Sequence, residues 1–447
     1  MSASNSAPVP ASISFTTALL FWLKLGFISF GGPAGQIAIM HQELVERKRW
    51  ISEDRFLHAL NYCMVLPGPE AQQLATYIGW LLHGTVGGIV AGVLFVLPSL
   101  FILVLLSWIY IAFGDLPLIA GLFAGIKPAV TAIVLHAAWR IGSRALRNPL
   151  LWCLAALSFT ASIVFAVPFP ALVLTAALIG YCGSRLAPQQ FHPTNLHGKP
   201  APSYGPALID EHTLRPSHTY FSWFKLGKTA SCGLLLWLLP MVLLLSLMGR
   251  EHTFSQMAWF FTKAALLTFG GAYAVLPYVY QGAVENYGWL TAAQMIDGLA
   301  LGETTPGPLI MVVAFVGFVG AYTHEVLGST SLFLAGAIAA TIVTWFTFLP
   351  SFVFILAGGP FVESSRGDLK LTAPLTAITA AVVGVILNLA MFFGYHVLWP
   401  EGFSGNFQWP ALVLTLAAAI ALFRFKRGVI DVLLGCGLCG LALSFLG

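Results

Sequence analysis

Two tripeptides carry the first chemical signal in the chain. Pro67-Gly68-Pro69 sits inside NYCMVLPGPEAQQLATYIGW (61–80), and Pro306-Gly307-Pro308 follows 239 residues later. Each removes two backbone donors and frees the turn at its glycine, so no α-helix runs through it. The flanks are apolar enough for a membrane, where every unpaired N–H or C=O is costly. Such breaks persist where they line a cavity, and here they predict a solute site. Half-helices beginning just after Pro33, Pro69 and Pro308 would aim unpaired N–H groups and positive dipole ends at it, which suits an anion.

Several side chains are placed to take part. Lys24 lies six residues before Phe30, about 9 Å along a helix, and Lys263 holds the same place in the second copy. A lysine at the centre of a membrane helix costs about 2.5–3.5 kcal/mol, which a bound dianion would offset; the competing assignment is snorkelling to the interface. Glu70 opens a half-helix, as a coupling group or as a plain cap. Lys127, ahead of Pro128, falls mid-span and is a candidate partner for Glu70. Gln72 and Gln73 offer amide donors, or simply pack between helices. Asp297 and Glu303 precede the second tripeptide without aligning with Glu70, so the polar equipment is asymmetric. The candidate substrate-binding set is Lys24, Phe30, Gly31, Gly32, Pro33, Pro67, Gly68, Pro69, Gln72, Gln73, Lys263, Gly270, Gly271, Pro306, Gly307 and Pro308. The candidate coupling set is Glu70, Lys127 and Glu303.

The elements that must hold these residues are membrane helices. Of 447 residues, 58% are hydrophobic and 9% charged, with mean hydropathy +0.85; soluble domains carry about 25% charged residues. The net charge of +4 gives no reason to invoke nucleic acid. Residues 1–12 carry no basic side chain and do not read as a secretory signal. The six cysteines form no disulfide framework.

The chain is also duplicated. Phe30-Gly31-Gly32 recurs as Phe269-Gly270-Gly271, and the same offset maps Phe21 to Phe260, Gln42 to Gln281, Glu46 to Glu285 and Trp50 to Trp289. Further on, Leu97-Pro98-Ser99 matches Leu349-Pro350-Ser351, and PALVLT occurs at 170–175 and again at 410–415. We divide the chain into a repeat at 1–190, a linker with one extra apolar helix at 191–256, and a second repeat at 257–447. FGGPAGQ near the start, LPGPEAQQLATYIGW about forty residues on, and weaker copies of both resemble the long-chain chromate ion transporter family. The resemblance covers nearly the whole chain and implies export of chromate, with sulfate as the look-alike anion. FGGAYAV and TTPGPLIMV replace the first-copy motifs in the second half.

Lysine and arginine set the expected topology. Segments 12–40, 52–83, 257–284 and 291–322 are taken as re-entrant hairpins, and nine other segments cross. Seventeen of the 21 basic residues then share one side, Arg250 stands alone on the other, and Lys24, Lys127 and Lys263 remain inside. Making every segment cross separates the Arg47–Arg55 and Arg140–Arg147 clusters, against the positive-inside rule. The expected fold is therefore an all-α polytopic membrane protein. Its two inverted-topology repeats each hold two broken hairpins and about four spans, and one extra transmembrane helix joins them. The N-terminus is cytoplasmic and the C-terminus periplasmic, in a bacterial inner membrane.

The functional expectation is a secondary exporter of a tetrahedral oxyanion, with no catalytic residue, resident metal or cofactor. Protons are possible coupling ions, and a homodimer is compatible with the pattern. No Walker motif is present. The alternatives are a sulfate or other oxyanion carrier and, from another class, a membrane thiol reductase using Cys436 and Cys439. That CxxC lies in a glycine-rich span, where small residues serve helix packing. The linker histidines His192, His197, His212 and His218 lack tight metal-ligand spacing. Trp80, Trp108 and Trp289 are expected as interface anchors.

Overall fold

The computed structural model describes residues 13–30, 32–186, 204–210, 213, 216–364 and 372–445. Among them the fold is all helical, apart from one isolated bridge between Ile51 and Ile209. Six helices are long and apolar enough to cross a membrane, as a polytopic membrane protein requires.

The first half opens with α1 (Phe15–Ile28), α2 (Gly32–His41, extended by a π-turn at Gln42–Arg47) and α3 (Glu53–Val65). None of the three, at 1.5 Å per residue, reaches the ~30 Å of a hydrocarbon core. The breaks between them are reversals rather than kinks. A continuous helix would separate Phe21 from Trp50 by about 40 Å, yet their rings lie 4.9 Å apart. The same holds for Tyr62 and Tyr77, at 5.7 Å. Next comes α4 (Glu70–Phe113), in which His83 and Gly84 leave helical geometry, with Gly84 at φ +63°. A β-carbon on Gly79 would meet Gly87 and Ala91, and one on Gly88 would meet Thr76 and Trp80. The two limbs, 70–82 and 85–113, therefore run antiparallel in close contact. Three further helices complete the half: α5 (Pro117–Ala145), α6 (Pro149–Val164) and α7 (Phe169–Leu186).

After α8 (Trp223–Met248) the pattern repeats: α9 (Thr253–Leu267), α10 (Ala272–Tyr280 with a π-turn at Gln281–Asn286) and α11 (Ala292–Thr304). A 3₁₀ turn, Leu309–Met311, leads into α12 (Val312–Thr323), and α13 (Leu332–Ser364) is the long helix of this half. The chain closes with α14 (Thr372–Leu398), α15 (Trp409–Phe423) and α16 (Val429–Ser444). Both π-turns and both helices α3 and α11 start 239 residues apart, and Phe260 meets Trp289 at 5.6 Å as Phe21 meets Trp50.

The long helices of the halves run antiparallel to each other. Along α4, Gly88 faces Leu356, Gly92 faces Phe352 and Trp108 meets Phe333 at 5.9 Å, so one number rises as the other falls. The ends are exchanged between halves: α6 and α7 pack on α14, while α15 and α16 pack on α5. Glycines make this possible, Gly125 lying against Cys436 and Gly440, and Gly384 against Ala155. Helix α8 buries little beyond Gly233 and Met241 and presents leucines outward, as a lipid-facing helix does. The linker returns to the first half, where Ile209 accepts from Ser52 N–H at 2.9 Å and donates to Trp50 O at 3.1 Å.

Candidate functional site

Each proline-glycine-proline turn meets the first broken turn of the opposite half, and these two contacts together make the crossing. Gly68 N–H donates to Thr268 O at 2.7 Å, and Gly307 N–H donates to Ser29 O at 2.8 Å. Gly68 and Gly307 are repeat equivalents, as are Thr268 and Ser29, so the bonds form a reciprocal pair between the halves. Each proline-glycine-proline turn finds in the opposite half the partner that its own helix cannot supply. The contacts beyond are reciprocal too. A β-carbon on Gly68 would strike Ser351 Oγ, and one on Gly307 would strike Ser99. Both glycines have positive φ, +130° and +103°, which side chains rarely adopt.

Around this crossing lie polar groups contributed mainly by the first half. Gln36 Nε2 donates to Gly307 O and, at 3.4 Å, to Ser29 O. Gln73 Nε2 donates to Pro67 O at 2.8 Å and to Ser351 Oγ at 3.4 Å. Gln72 donates to Thr76 Oγ1 at 3.0 Å. Ser29 Oγ, Ser99 Oγ and the amide oxygens of Gln72 and Gln73 are buried without a hydrogen-bond partner among the described residues. Buried polar groups are normally satisfied, so this cluster is equipped for more partners than the chain supplies. The Glu70 carboxylate is half-buried at the start of α4, 3.9 Å from where a β-carbon of Gly271 would stand.

Charge enters from α5. The Arg140 guanidinium lies 6.0 Å from the ring of Tyr273, the second residue of α10, and Tyr273 OH donates to the buried Glu303. Lys127 Nζ is 3.3 Å from Asp297 Oδ2, which also accepts from Tyr110 OH at 2.9 Å, while Asp297 Oδ1 is buried without a hydrogen-bond partner among the described residues. A third polar knot joins Arg55 Nη2 to Glu363 Oε2 at 2.7 Å, with Tyr77 OH donating to the same carboxylate.

Some sequence-level expectations are redistributed. Phe30, Gly32, Pro33, Pro67, Gly68, Pro69, Gln72, Gln73, Gly270, Gly271 and Pro306–Pro308 lie on the broken turns or the first residues after them. Gly31 lies outside the described residues. Helix α2 begins at Gly32, α4 directly after Pro69, and a 3₁₀ turn follows Pro308. The lysines are elsewhere: Lys24 is exposed on the face of α1 that carries exposed Leu20 and Phe27, and Lys263 lies over the Trp259 ring. Lys127 pairs with Asp297 rather than Glu70, because α5 packs on α11. Trp80 and Trp289 are buried, against Tyr77 and His218 and against Tyr287, and so are not interface anchors. Cys436 is buried and Cys439 exposed, both as free thiols. Of the linker histidines only His218 is described, and no metal-binding cluster occurs among the described residues. Sequence reasoning passed over Gln36, although it ends the FGGPAGQ motif, and over Arg140, which was counted with the surface charges.

The sequence profile of the chromate transporter family matches residues 16–181 and 255–441. The chain is 32% identical to a chromate transport protein of Pseudomonas aeruginosa, over 97% of this chain and 93% of that one. It is 26% identical to a chromate transport protein of Cupriavidus metallidurans, over 95% and 92%. A probable chromate transport protein of Synechococcus elongatus is 28% identical, over 85% and 84%. No solved structure matches the chain.

Proposed function

The chain belongs to the chromate transporter family, and from that premise we propose that it is a secondary active exporter of chromate, a tetrahedral dianion, across the bacterial inner membrane. The observation that carries this reading is the reciprocal contact of Gly68 with Thr268 and of Gly307 with Ser29. It sets the broken turns of one half against those of the other, beside amide and hydroxyl groups with unused capacity and the half-helix starts of α2, α4 and α10. Helix starts favour anions, and Arg140 supplies a cation beside Tyr273. In this reading Lys24 and Lys263 guide anions at the rim rather than hold them at the centre.

The halves are inverted in the membrane on this proposal, as the antiparallel course of α4 and α13 supports. The loop 48–52, which carries the basic cluster, and the linker that pairs with it face the cytoplasm; the repeats divide at 1–190 and 257–447.

The driving force is electrical. An inside-negative potential is worth about 2.3 kcal/mol per charge per 100 mV, so a dianion gains roughly 4.6, an outward gradient of more than about a thousandfold. Glu70 and Glu303 are the proposed coupling groups, because a bound dianion favours a proton on a neighbouring carboxylate. Sulfate, of the same shape and charge, is the alternative cargo. Inverted vesicles loaded with an imposed potential and offered labelled chromate and sulfate test the reading. Accumulation of chromate that follows the potential is expected; accumulation of sulfate alone would reassign the cargo.

A further inference from the structure

The two hairpin pairs are built alike but are not covered alike. Helix α10 is buried along all nine residues, beneath α14 and α7, and α11 is held by α5, α14 and α16. Their counterparts α2 and α3 pack on α4 and, among the described residues, make no comparable contact with any of α5–α7 or α14–α16. The difference falls on one face. Leu57, Asn61 and Met64, at helical spacing on α3, are exposed, with Leu57 at 40% and Met64 at 50%. Their equivalents on α11, Ile296, Ala300 and Glu303, are buried at 1%, 1% and 6%. On α2, Ala34 and Ala38 are exposed where α10 has the buried Tyr273 and Pro277.

The six end helices are also welded to one another by the exchange of α6–α7 and α15–α16. They form one body, and it leans on the second hairpin pair through the Lys127–Asp297 ion pair and through Arg140 beside Tyr273. We propose that these six helices move as a single scaffold between the two hairpin pairs, that the structure holds the scaffold on the second pair, and that Lys127–Asp297 is the tie that breaks in each cycle. The site is then open along α2 and α3 and closed along α10 and α11; seating the scaffold on the first pair gives the opposite state. The occupant of the open α3 face is this chain's own scaffold, because the equivalent face of α11 already has it. The inference rests on the transporter reading, but not on the identity of the cargo.

Cysteine reporters in a cysteine-free background test it without any substrate. Asn61→Cys is expected to react quickly with an impermeant thiol reagent and Ala300→Cys slowly. Asp297→Asn should change the two in opposite directions, slowing position 61 and speeding position 300 by at least about threefold each. Acceleration at both positions, or no change at either, would overturn the proposal, since a loosened fold exposes both. Lys127→Gln, which removes the same tie from the other partner, must reproduce the opposite-sign change. A reversible lock supplies the functional arm. The rings of Tyr280 and Phe392 touch at 4.5 Å, and a disulfide between Tyr280→Cys and Phe392→Cys should stop transport of whichever anion the parent carries. Reduction should restore it; full transport in the cross-linked protein would show that the scaffold does not move. Failure of chromate transport by the parent would remove the cargo assignment and leave the reporter result intact.

Discussion

The two broken-hairpin pairs share a backbone and divide the side-chain work. Where the first half has Gln36, Glu70, Gln72 and Gln73, the second has Val275, Leu309, Met311 and Val312. The glycine pair Gly31-Gly32 and the tripeptide Pro67-Gly68-Pro69 are kept in the second copy, and so are the cross-bonds from Gly68 and Gly307, whereas Pro33 and Gly35 become Ala272 and Ala274. Backbone geometry is what the reciprocal bonds demand of both halves, since each glycine N–H is satisfied by the other half. Side chains are under no such demand, and on the proposed function a shared site needs only one set. The second half uses its freedom for apolar cover and for two acids, Asp297, which meets Lys127 of α5, and Glu303, which accepts from Tyr273 beside Arg140.

Substitutions at the centre should show whether that division is real. The largest effect is expected at the crossing itself. Gly68→Val and Gly307→Val each place a branched side chain at positive φ against a serine of the opposite long helix. Each should reduce transport at least about a hundredfold while the protein still inserts, as measured by vesicle uptake normalised to abundance. Full activity in the Gly307 variant alone would mean that the halves do not share the crossing equally.

Next in size is the ion pair. Asp297 is 2% exposed and Lys127 32%, so Lys127→Gln strands the more deeply buried charge. It should cost about 3 kcal/mol by thermal unfolding in detergent, with Asp297→Asn costing less and the double variant recovering most of the loss. Equal costs for the two single variants would indicate that Lys127 is as dehydrated as its partner.

Smaller again is the exchange of polar equipment. Gln36→Val makes the first half resemble the second and removes the donor to Gly307 O; about 1–2 kcal/mol, a five- to thirtyfold rise in chromate KM, is expected. Val275→Gln should not repair it. Repair would mean that either half can serve the site.

The smallest effects are expected at the lysines. Lys24→Gln and Lys263→Gln should change KM by less than about threefold at physiological salt, since Lys24 is exposed and Lys263, half-buried over Trp259, lies outside the crossing. A tenfold change in either would bring the lysines back into the site.

How much of this was legible beforehand depended on the kind of signal. The reversals at Pro67-Gly68-Pro69 and its copy were readable because proline and glycine act on the backbone locally. The paired hairpins followed from segment length and charge counting. Partner choice was not readable. Lys127 faces Asp297 rather than Glu70 because of how α5 packs on α11, and nothing in local spacing specifies that. Lys24 shows the same limit: an offset of 239 residues located it in the repeat, but only the packing of α1 on α4 decides which face it occupies. Arg140 was read as surface charge from its place near a helix end, although its guanidinium lies beside the Tyr273 ring of the second half.

The exchange of end helices also has a consequence in time. Gly121 and Gly125 of α5 are shaped to receive α16, whose Cys436–Ser444 leave the ribosome roughly 300 residues later. At about 5–20 residues per second, the first half waits on the order of 15–60 s for the helix that completes it. During that interval its groove faces lipid, which is tolerable because acyl chains are no less apolar than the missing helix. A ribosome that stalls after α14 would therefore leave its defect not at the unfinished end but on α5, in a segment translated long before.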